Sequence, residues 1–147
     1  MNEVLIIRQP QSEDEFNSMY DLRWRILRKP WNQPKGSEKD EKESEALHFI
    51  AKLDDRVVGT ARFDTIKDRI GQIRYLAVDE SFQRRGIGTN LLSSIHITAR
   101  NRRFLYIILN ARESAVKFFE KLGYSIMEDG PILFDVIKHF KMVKKLC

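Results

Sequence analysis

A glycine-rich turn between an apolar strand and an amphipathic helix is the segment whose chemistry is clearest. It reads QRRGIGT over positions 83–89 and follows the apolar run at 73–78. A turn of this kind places unpaired backbone N–H groups and the positive end of a helix dipole at one point. Gly86 and Gly88 allow another molecule to approach the backbone closely. The segment therefore predicts a site for a phosphate group, although a tight turn without a ligand would also use these glycines.

Two common phosphate-binding loops are excluded by the spacing of this segment. A Walker loop needs a lysine followed by Ser or Thr after its second glycine, and a dinucleotide fingerprint needs a third small residue where this chain has Leu91. What remains is the pattern Q-x-x-G-x-G, followed by Leu91 and Leu92.

In this order, after the strand sequence YLAVD at 75–79, the pattern resembles the acyl-CoA pyrophosphate loop of the GNAT superfamily (GCN5-related N-acetyltransferases). Positions 110–124, which end in Lys121-Leu122-Gly123-Tyr124, resemble the second motif of that superfamily. The N-terminal segment at 22–30 and the phrase Ile137-Lys138-His139 are similar to its bacterial ElaA-like branch.

The resemblance implies acetyl-CoA as cosubstrate, with its pyrophosphate on the backbone amides of the turn and its pantetheine arm along the preceding strand. The main chain of that strand would also stabilise the developing oxyanion. Asn110, expected just past the fifth strand, would bind the pantetheine arm or cap a helix. The implied cofactor-binding residues are Leu76, Ala77, Val78, Arg84, Arg85, Gly86, Ile87, Gly88, Thr89 and Asn110.

The general acid and base are the weakest part of the resemblance. Many superfamily members have a tyrosine four residues before the glycine of the second motif, where this chain has Phe119. Phenylalanine cannot donate a proton, so we expect slower transfer. His139 is the candidate for an alternative acid or base, with a purely structural role as the other interpretation. Asp64 and the acidic segment at 38–45 are candidates for accepting the proton of the amine.

The order of predicted elements indicates an α+β fold with a mixed, mostly antiparallel twisted sheet flanked by helices, which is also the GNAT fold. Helical spacing follows a capping box at Ser12 and ends before Pro30. A turn is expected at 129–131, between the last two strands. The predicted strands are 4–7, 48–53, 57–66, 70–78, 104–109, 124–127 and 132–142, and the predicted helices begin near residues 13, 86 and 115.

Size and composition favour one globular domain over 1–147. The chain is 42% hydrophobic and 32% charged, and no apolar run approaches the roughly 20 residues that span a bilayer. Glu3 replaces the basic start of a secretory signal. The single cysteine, Cys147, forms no internal disulfide and has no identifiable base to activate it as a nucleophile. We therefore predict a cytoplasmic protein without membrane contact.

Together these features predict an N-acetyltransferase that transfers acetyl from acetyl-CoA to an unidentified primary amine by direct attack, without a metal. We expect a monomer or a homodimer. Phe119 motivates an alternative, an acyl-CoA-binding sensor or scaffold with little turnover. The net charge of +5 motivates a third interpretation as a nucleic-acid-binding protein, which the absence of a recognition motif disfavours.

Overall fold

The structure, a computed structural model, describes residues 4–146. The first three residues and Cys147 lie outside this range, so the expectations placed on the extreme N-terminus and on Cys147 are not addressed. Within the described range, no helix combines the length and the hydrophobicity that crossing a membrane requires.

Ten regular elements follow the predicted order within residues 4–146. Short 3-10 helices occupy Lys29–Trp31, Glu80–Phe82 and Glu113–Ala115. The strands and α-helices are β1 Leu5–Arg8, α1 Glu13–Leu27, β2 Leu47–Leu53, β3 Arg56–Lys67, β4 Ile70–Val78, α2 Ile87–Asn101, β5 Tyr106–Arg112, α3 Val116–Lys121, β6 Ser125–Leu133 and β7 Ile137–Lys145.

The strands form a seven-stranded sheet in the order β1-β2-β3-β4-β5-β7-β6. Strands β4 and β5 run parallel, whereas β1–β2, β2–β3, β5–β7 and β6–β7 pair antiparallel. The predicted fold class, a mixed and mostly antiparallel sheet flanked by helices, is confirmed.

Residue contacts divide the chain into two compact units. The first unit takes in the described residues up to Asp64 together with Tyr75–Ile95, and the second takes in Thr65–Arg74 and the described residues from His96 onward. Each unit has fully buried side chains of its own, among them Met19, Leu22, Ile50 and Val58 in the first and Ile107 and Met142 in the second. The single domain over 1–147 stays a prediction.

Helix α1 begins at its predicted cap. The Ser12 hydroxyl accepts the N–H of Glu15 at 3.1 Å. The Glu15 carboxylate accepts the N–H of Gln11 at 2.8 Å, one residue before the cap residue. The helix ends at Leu27, and Pro30 lies in the 3-10 turn that follows. The local signals of cap and proline therefore predicted this helix to within one turn.

The position of Asn110 differs from the prediction. Strand β5 continues to Arg112, and Asn110 pairs with Lys141 inside the β5–β7 ladder. The apolar run ends earlier, at Leu109, but backbone pairing with β7 extends the strand through polar residues to the pair Arg112–His139. Strand length here depends on the partner strand and not on local hydrophobicity.

The last hairpin turns at a different place from the one predicted. The turn falls at Phe134 and Asp135, which have φ values of 52° and 61°. Gly130 and Pro131 lie instead within β6, where the register with β7 shifts. This strand ends the sheet order, and an edge strand tolerates a proline because its missing N–H can face away from the ladder.

Candidate functional site

The predicted phosphate turn leads directly into α2 in the first unit. Arg84 and Gly86 have left-handed φ values of 65° and 79°. The N–H of Asn90 donates to the carbonyl of Gly86 at 3.0 Å, which makes Gly86 the cap of the helix. The N–H groups at 87–89 precede this first helical bond and have no acceptor inside the helix. They are therefore available to an anion.

Open space lies beside Gly86. A Cβ atom built on this residue would have no heavy atom within 4 Å. On the other side of the turn the packing is tight, since a Cβ at Gly59 of β3 would approach Ile87 Cγ2 at 2.9 Å and Leu91 Cδ1 at 3.0 Å. The absence of a side chain at 59 thus lets the start of α2 pack against β3, while the face at Gly86 stays open.

Acidic residues before the turn are paired with Arg25 of α1. Its guanidinium donates to Asp79 at 3.4 Å, to Glu80 at 3.1 Å and to Asp21 at 2.9 Å. Asp79 is buried and also accepts the N–H of Ser81 at 2.9 Å. These pairs offset the negative charge that would otherwise repel a phosphate from the adjacent turn.

Strand β4 changes character before the turn. Its pairing with β5 extends to Ile73–Leu109, and Tyr75 has φ 57°, a left-handed conformation that is unusual for a bulky residue inside a strand. Leu76, Ala77 and Val78 follow immediately. Such strain persists where the surroundings hold it, and it clusters at functional sites.

A buried ion cluster surrounds Tyr75. Arg62 of β3 is completely buried, and all five of its N–H groups donate to carboxylates. They reach Asp40 at 2.7 and 2.9 Å, Glu43 at 2.8 Å and Asp64 at 2.8 and 2.7 Å. Burial opposes the charged guanidinium, but the bonds to Asp40 and Asp64 outweigh it and raise the pKa of Arg62. Arg62 therefore stays charged and fixes the three carboxylates.

A second buried guanidinium, that of Arg23 in α1, lies over two tyrosine rings. Its carbon is 4.4 Å from the Tyr75 ring centroid and 5.1 Å from that of Tyr20. Nη1 donates to the Glu43 carboxylate at 3.0 Å and to the Glu38 carbonyl at 3.2 Å. Nε has no hydrogen-bond partner among the described residues. Arg23 thus connects α1, the 38–45 segment and β4.

His48 of β2 takes part in the same cluster as a neutral ring. Nε2 donates to the Glu43 carbonyl at 2.7 Å, so Nδ1 is the nitrogen that accepts from Arg23 Nη2 at 3.5 Å. Burial lowers the pKa of His48. With both nitrogens engaged, the ring holds the 38–45 segment.

Sequence reasoning identified Asp64 and the 38–45 segment but missed the residues that bind them. Arg23, Arg62 and Tyr75 had no predicted role. A signal was present in β3, where Thr60, Arg62 and Asp64 alternate with apolar residues although the strand is buried on both faces. Polar residues on a buried strand face require partners, and Arg62 finds two of them, Asp40 and Glu43, in the acidic segment at 38–45.

In the second unit, Phe119 is a buried ring among aromatic neighbours. It is 7% exposed and lies edge-on to Tyr124, with centroids 5.8 Å apart. The Tyr124 hydroxyl is hydrogen-bonded to His96 Nε2 at 2.8 Å. Burial lowers the pKa of His96 to about 4, with Lys144 and Arg100 adding to the effect, and burial raises the pKa of Tyr124. The group is therefore uncharged at neutral pH.

His139 and Asn110 lie in the same unit. His139 is buried, and its Nδ1 donates to the carbonyl of Ile137 at 3.0 Å. Burial lowers its pKa against the opposing effect of hydrogen bonds to the backbone of Ile137 and Pro131. The Asn110 amide oxygen lies 3.3 Å from the place that a Cβ on Gly130 would occupy. The catalytic role of His139 and the cofactor contact of Asn110 stay predictions.

An open groove of about 370 Å³ borders the ion cluster within the first unit. Its walls include Pro10, Phe16, Tyr20, Glu43 and His48. The three rings contact one another, with centroids 5.8–6.4 Å apart. No three His, Cys, Asp or Glu side chains within 4–146 group as metal ligands; the absence of a metal stays a prediction.

Comparison with known proteins gives the class first. Solved structures with the same fold include a GNAT family acetyltransferase from Elizabethkingia anophelis with acetyl-CoA bound, with TM-score 0.80 and 18% identity over 97% of this chain and 98% of that one. Escherichia coli ElaA gives TM-score 0.81 and 16% identity over 97% and 99%. At these identities the likeness concerns the fold.

The sequence supplies the family. Residues 16–124 match the profile of the Acetyltransferase (GNAT) family, and the chain belongs to that family. It is 28% identical over 134 residues to YjcF of Bacillus subtilis strain 168, an uncharacterised N-acetyltransferase, covering 91% of this chain and 95% of YjcF. The resemblance drawn from the two motifs is confirmed, and with it the enzyme class, an acetyl-CoA-dependent N-acetyltransferase.

Proposed function

We propose that the turn at 84–89 binds the pyrophosphate of acetyl-CoA, and that the enzyme transfers the acetyl group to a primary amine. The observation that carries the site is the pairing of uncommitted first-turn amides at 87–89 with open space beside Gly86. Arg84 and Arg85, both exposed, supply positive charge next to these amides. The acetyl-CoA bound in the Elizabethkingia anophelis acetyltransferase, which shares this fold, supports the same cosubstrate.

Transfer would proceed by direct attack of the neutral amine on the thioester. The main chain of Leu76, Ala77 and Val78 would hold the pantetheine arm and stabilise the oxyanion. The left-handed φ of Tyr75 is an irregularity of β4 directly before this stretch. We expect most of the rate enhancement to come from positioning the two reactants and from stabilising the oxyanion.

The acceptor would approach from the face that carries α1 and the ion cluster. The groove beside Glu43 and His48 offers volume for a small amine or an amine-bearing side chain. A cytoplasmic location, a monomeric or homodimeric state and the absence of nucleic acid as a partner belong to this proposal.

The experiment combines thiol release with direct binding. Purified protein, acetyl-CoA and a panel of primary amines should release coenzyme A, and mass spectrometry should detect acetylated amine. If acetyl-CoA binds but no thiol is released, the enzyme proposal fails, and the alternative of an acyl-CoA-binding sensor or scaffold, which Phe119 motivated, takes its place.

A glycine pair tests the site itself. Gly86→Val places a side chain in the open space and in a left-handed conformation, and should weaken acetyl-CoA binding more than tenfold, about 1.4 kcal/mol. Gly36→Val is the matched control, because Gly36 also has a positive φ, 102°, and no heavy atom within 4 Å of a Cβ. Calorimetry that finds both variants unchanged in affinity would remove the 84–89 turn as the site.

A further inference from the structure

Three aromatic rings follow one another along α1 at the spacing of a helical turn. Phe16, Tyr20 and Trp24 are four residues apart, so they lie on one side of the helix with a rise of about 6 Å between successive rings. The centroids of the first two rings are 6.4 Å apart. Phe16 and Tyr20 are also walls of the open groove, and Trp24 lies one turn further along the helix. The row of rings therefore leads out of the groove toward the end of α1.

Lysine ammoniums contact the outer part of this row. Lys39 Nζ lies 4.3 Å from the Tyr20 ring centroid. Lys35 Nζ and Lys29 Nζ lie 5.2 Å and 5.6 Å from the Trp24 ring. All three lysines are exposed, and none of them forms a salt bridge within the described part of the chain. Their positive charge is therefore held on aromatic rings and is not paired with a carboxylate.

The groove itself offers no carboxylate to a second ammonium. Among its described lining residues Glu43 alone is charged, since burial lowers the pKa of His48. The Glu43 carboxylate already accepts from Arg23 at 3.0 Å and from Arg62 at 2.8 Å. Glu45 is exposed and does not line the groove. A polyamine that placed one amine in the groove would therefore meet only the lysines with its second ammonium.

We infer that the acceptor amine carries a carboxylate at the end away from the reacting nitrogen, and that Lys39 is the specificity-determining residue that binds this carboxylate. The inference rests on the proposed function, because it takes the groove as the place of the acceptor amine. The rest of the acceptor would then follow the row of rings to the ammonium at Tyr20. An ammonium has three N–H donors, so Lys39 can bind an anion without leaving the ring. Lys35 and Lys29 extend the same charge to a longer acceptor.

Three amines of equal length separate recognition of charge from general fit. 5-Aminopentanoate, pentylamine and cadaverine share the reacting primary amine, and their far ends are an anion, a methyl group and an ammonium. Wild-type kcat/KM should be about fivefold higher for 5-aminopentanoate than for pentylamine, the scale of an exposed ion pair, and should be lowest for cadaverine. The preference should lie in KM, since a contact far from the reacting atoms stabilises ground state and transition state alike. High salt should reduce it.

Substitutions at Lys39 test the residue. Lys39→Met keeps the aliphatic stem on Tyr20 and removes the charge, so it should lower kcat/KM for 5-aminopentanoate about fivefold and leave pentylamine unchanged. Lys39→Arg should keep the preference, and Lys39→Glu should reverse it in favour of cadaverine. Lys67→Met is the matched control, because Lys67 is an exposed lysine of the second unit and its loss changes the net charge equally. This control should retain the full preference.

A pair of peptides distinguishes two sources of the carboxylate. The amides of Ser-Asp-Glu-Asp and Ser-Asn-Gln-Asn have the same length and reacting amine, but only the first is acidic. A preference for the acidic peptide that Lys39→Met removes would support the inference with an acidic protein terminus as acceptor. A preference confined to 5-aminopentanoate would support it with a small amino acid as acceptor.

Three results would overturn the inference and leave the enzyme assignment intact. An equal loss in Lys39→Met and Lys67→Met would mean that the preference comes from the net charge of the protein. A lower affinity of Lys39→Met for acetyl-CoA, measured by calorimetry, would assign Lys39 to the anionic cosubstrate. A wild type that prefers neither 5-aminopentanoate nor the acidic peptide would show that no carboxylate is recognised. Absence of thiol release with every amine would instead refute the proposed function.

Discussion

The two units contain buried polar clusters of opposite character. In the first unit, Arg23 and Arg62 meet the carboxylates of Asp40, Glu43 and Asp64. In the second, His96 and Tyr124 share one hydrogen bond, and burial keeps both neutral. The charged cluster surrounds the strained residue of β4, whereas the neutral pair stabilises packing between α2 and the segment after α3.

The contrast shows how a buried charge is made tolerable. Arg62 uses every donor it has, so no N–H of that guanidinium is left without an acceptor. The neutral pair avoids the cost of a buried charge through shifted pKa values. The stability of the charged cluster therefore depends on the presence of all its members. The stability of the neutral pair depends mainly on pH.

Removal of Arg62 should have the largest effect. Arg62→Met leaves the carboxylates of Asp40, Glu43 and Asp64 without the guanidinium they share, while Arg23 still binds Glu43. It should cost about 3–5 kcal/mol in the free energy of unfolding. Arg56→Met is the matched control, since Arg56 begins the same strand with its side chain 66% exposed, and it should stay within about 0.5 kcal/mol of the wild type. Urea denaturation measures the free energy of unfolding of both variants. Equal stability of the two variants would contradict the prediction that the cluster depends on Arg62.

A hydroxyl added to the second unit tests whether its neutral aromatic group can take part in catalysis. Phe119→Tyr should raise kcat by up to roughly 10²-fold if the departing thiolate needs an acid, with acetyl-CoA affinity unaltered. Steady-state measurement of thiol release gives the change. A folded variant without any gain would mean that another donor or solvent already protonates the thiolate.

The smallest effect concerns acid stability. The pKa of His96 is about 4 in the folded protein, below the usual 6.5, so the unfolded chain binds more protons between these values. The contribution of His96 to stability is therefore complete above pH 6.5 and is lost as pH falls toward 4. Melting temperatures of wild type and His96→Gln should converge over this interval. If the difference in melting temperature stays constant over this interval, groups other than His96 cause the loss of stability at low pH.

Local signals predicted the phosphate turn and α1 because glycines, caps and prolines act on their own neighbours. The ion cluster joins residues 23, 40, 43, 62 and 75, and only folding brings those positions together. A sequence read one segment at a time therefore identifies the acidic segment but not the residues that bind it.

The two wrong boundaries have the same origin. Asp129-Gly130-Pro131 has the composition of a turn, but pairing with β7 keeps it in an irregular edge strand. Asn110 follows the last apolar residue of its run, but the ladder with β7 continues through it. In both cases an adjacent strand decides where a strand ends, and that information is not local.

Because Gly59 lies against the start of α2, a residue inside strand β3 can affect ligand binding at the turn. A residue as small as alanine at 59 would press on Ile87 and Leu91, and the displacement would pass to the amides that follow Gly86. In a screen for loss of cosubstrate binding, position 59 should therefore behave as if it lay in the turn. Its place in such a screen would come from the fit between the backbone of β3 and the side chains of Ile87 and Leu91, and from no contact with the bound molecule.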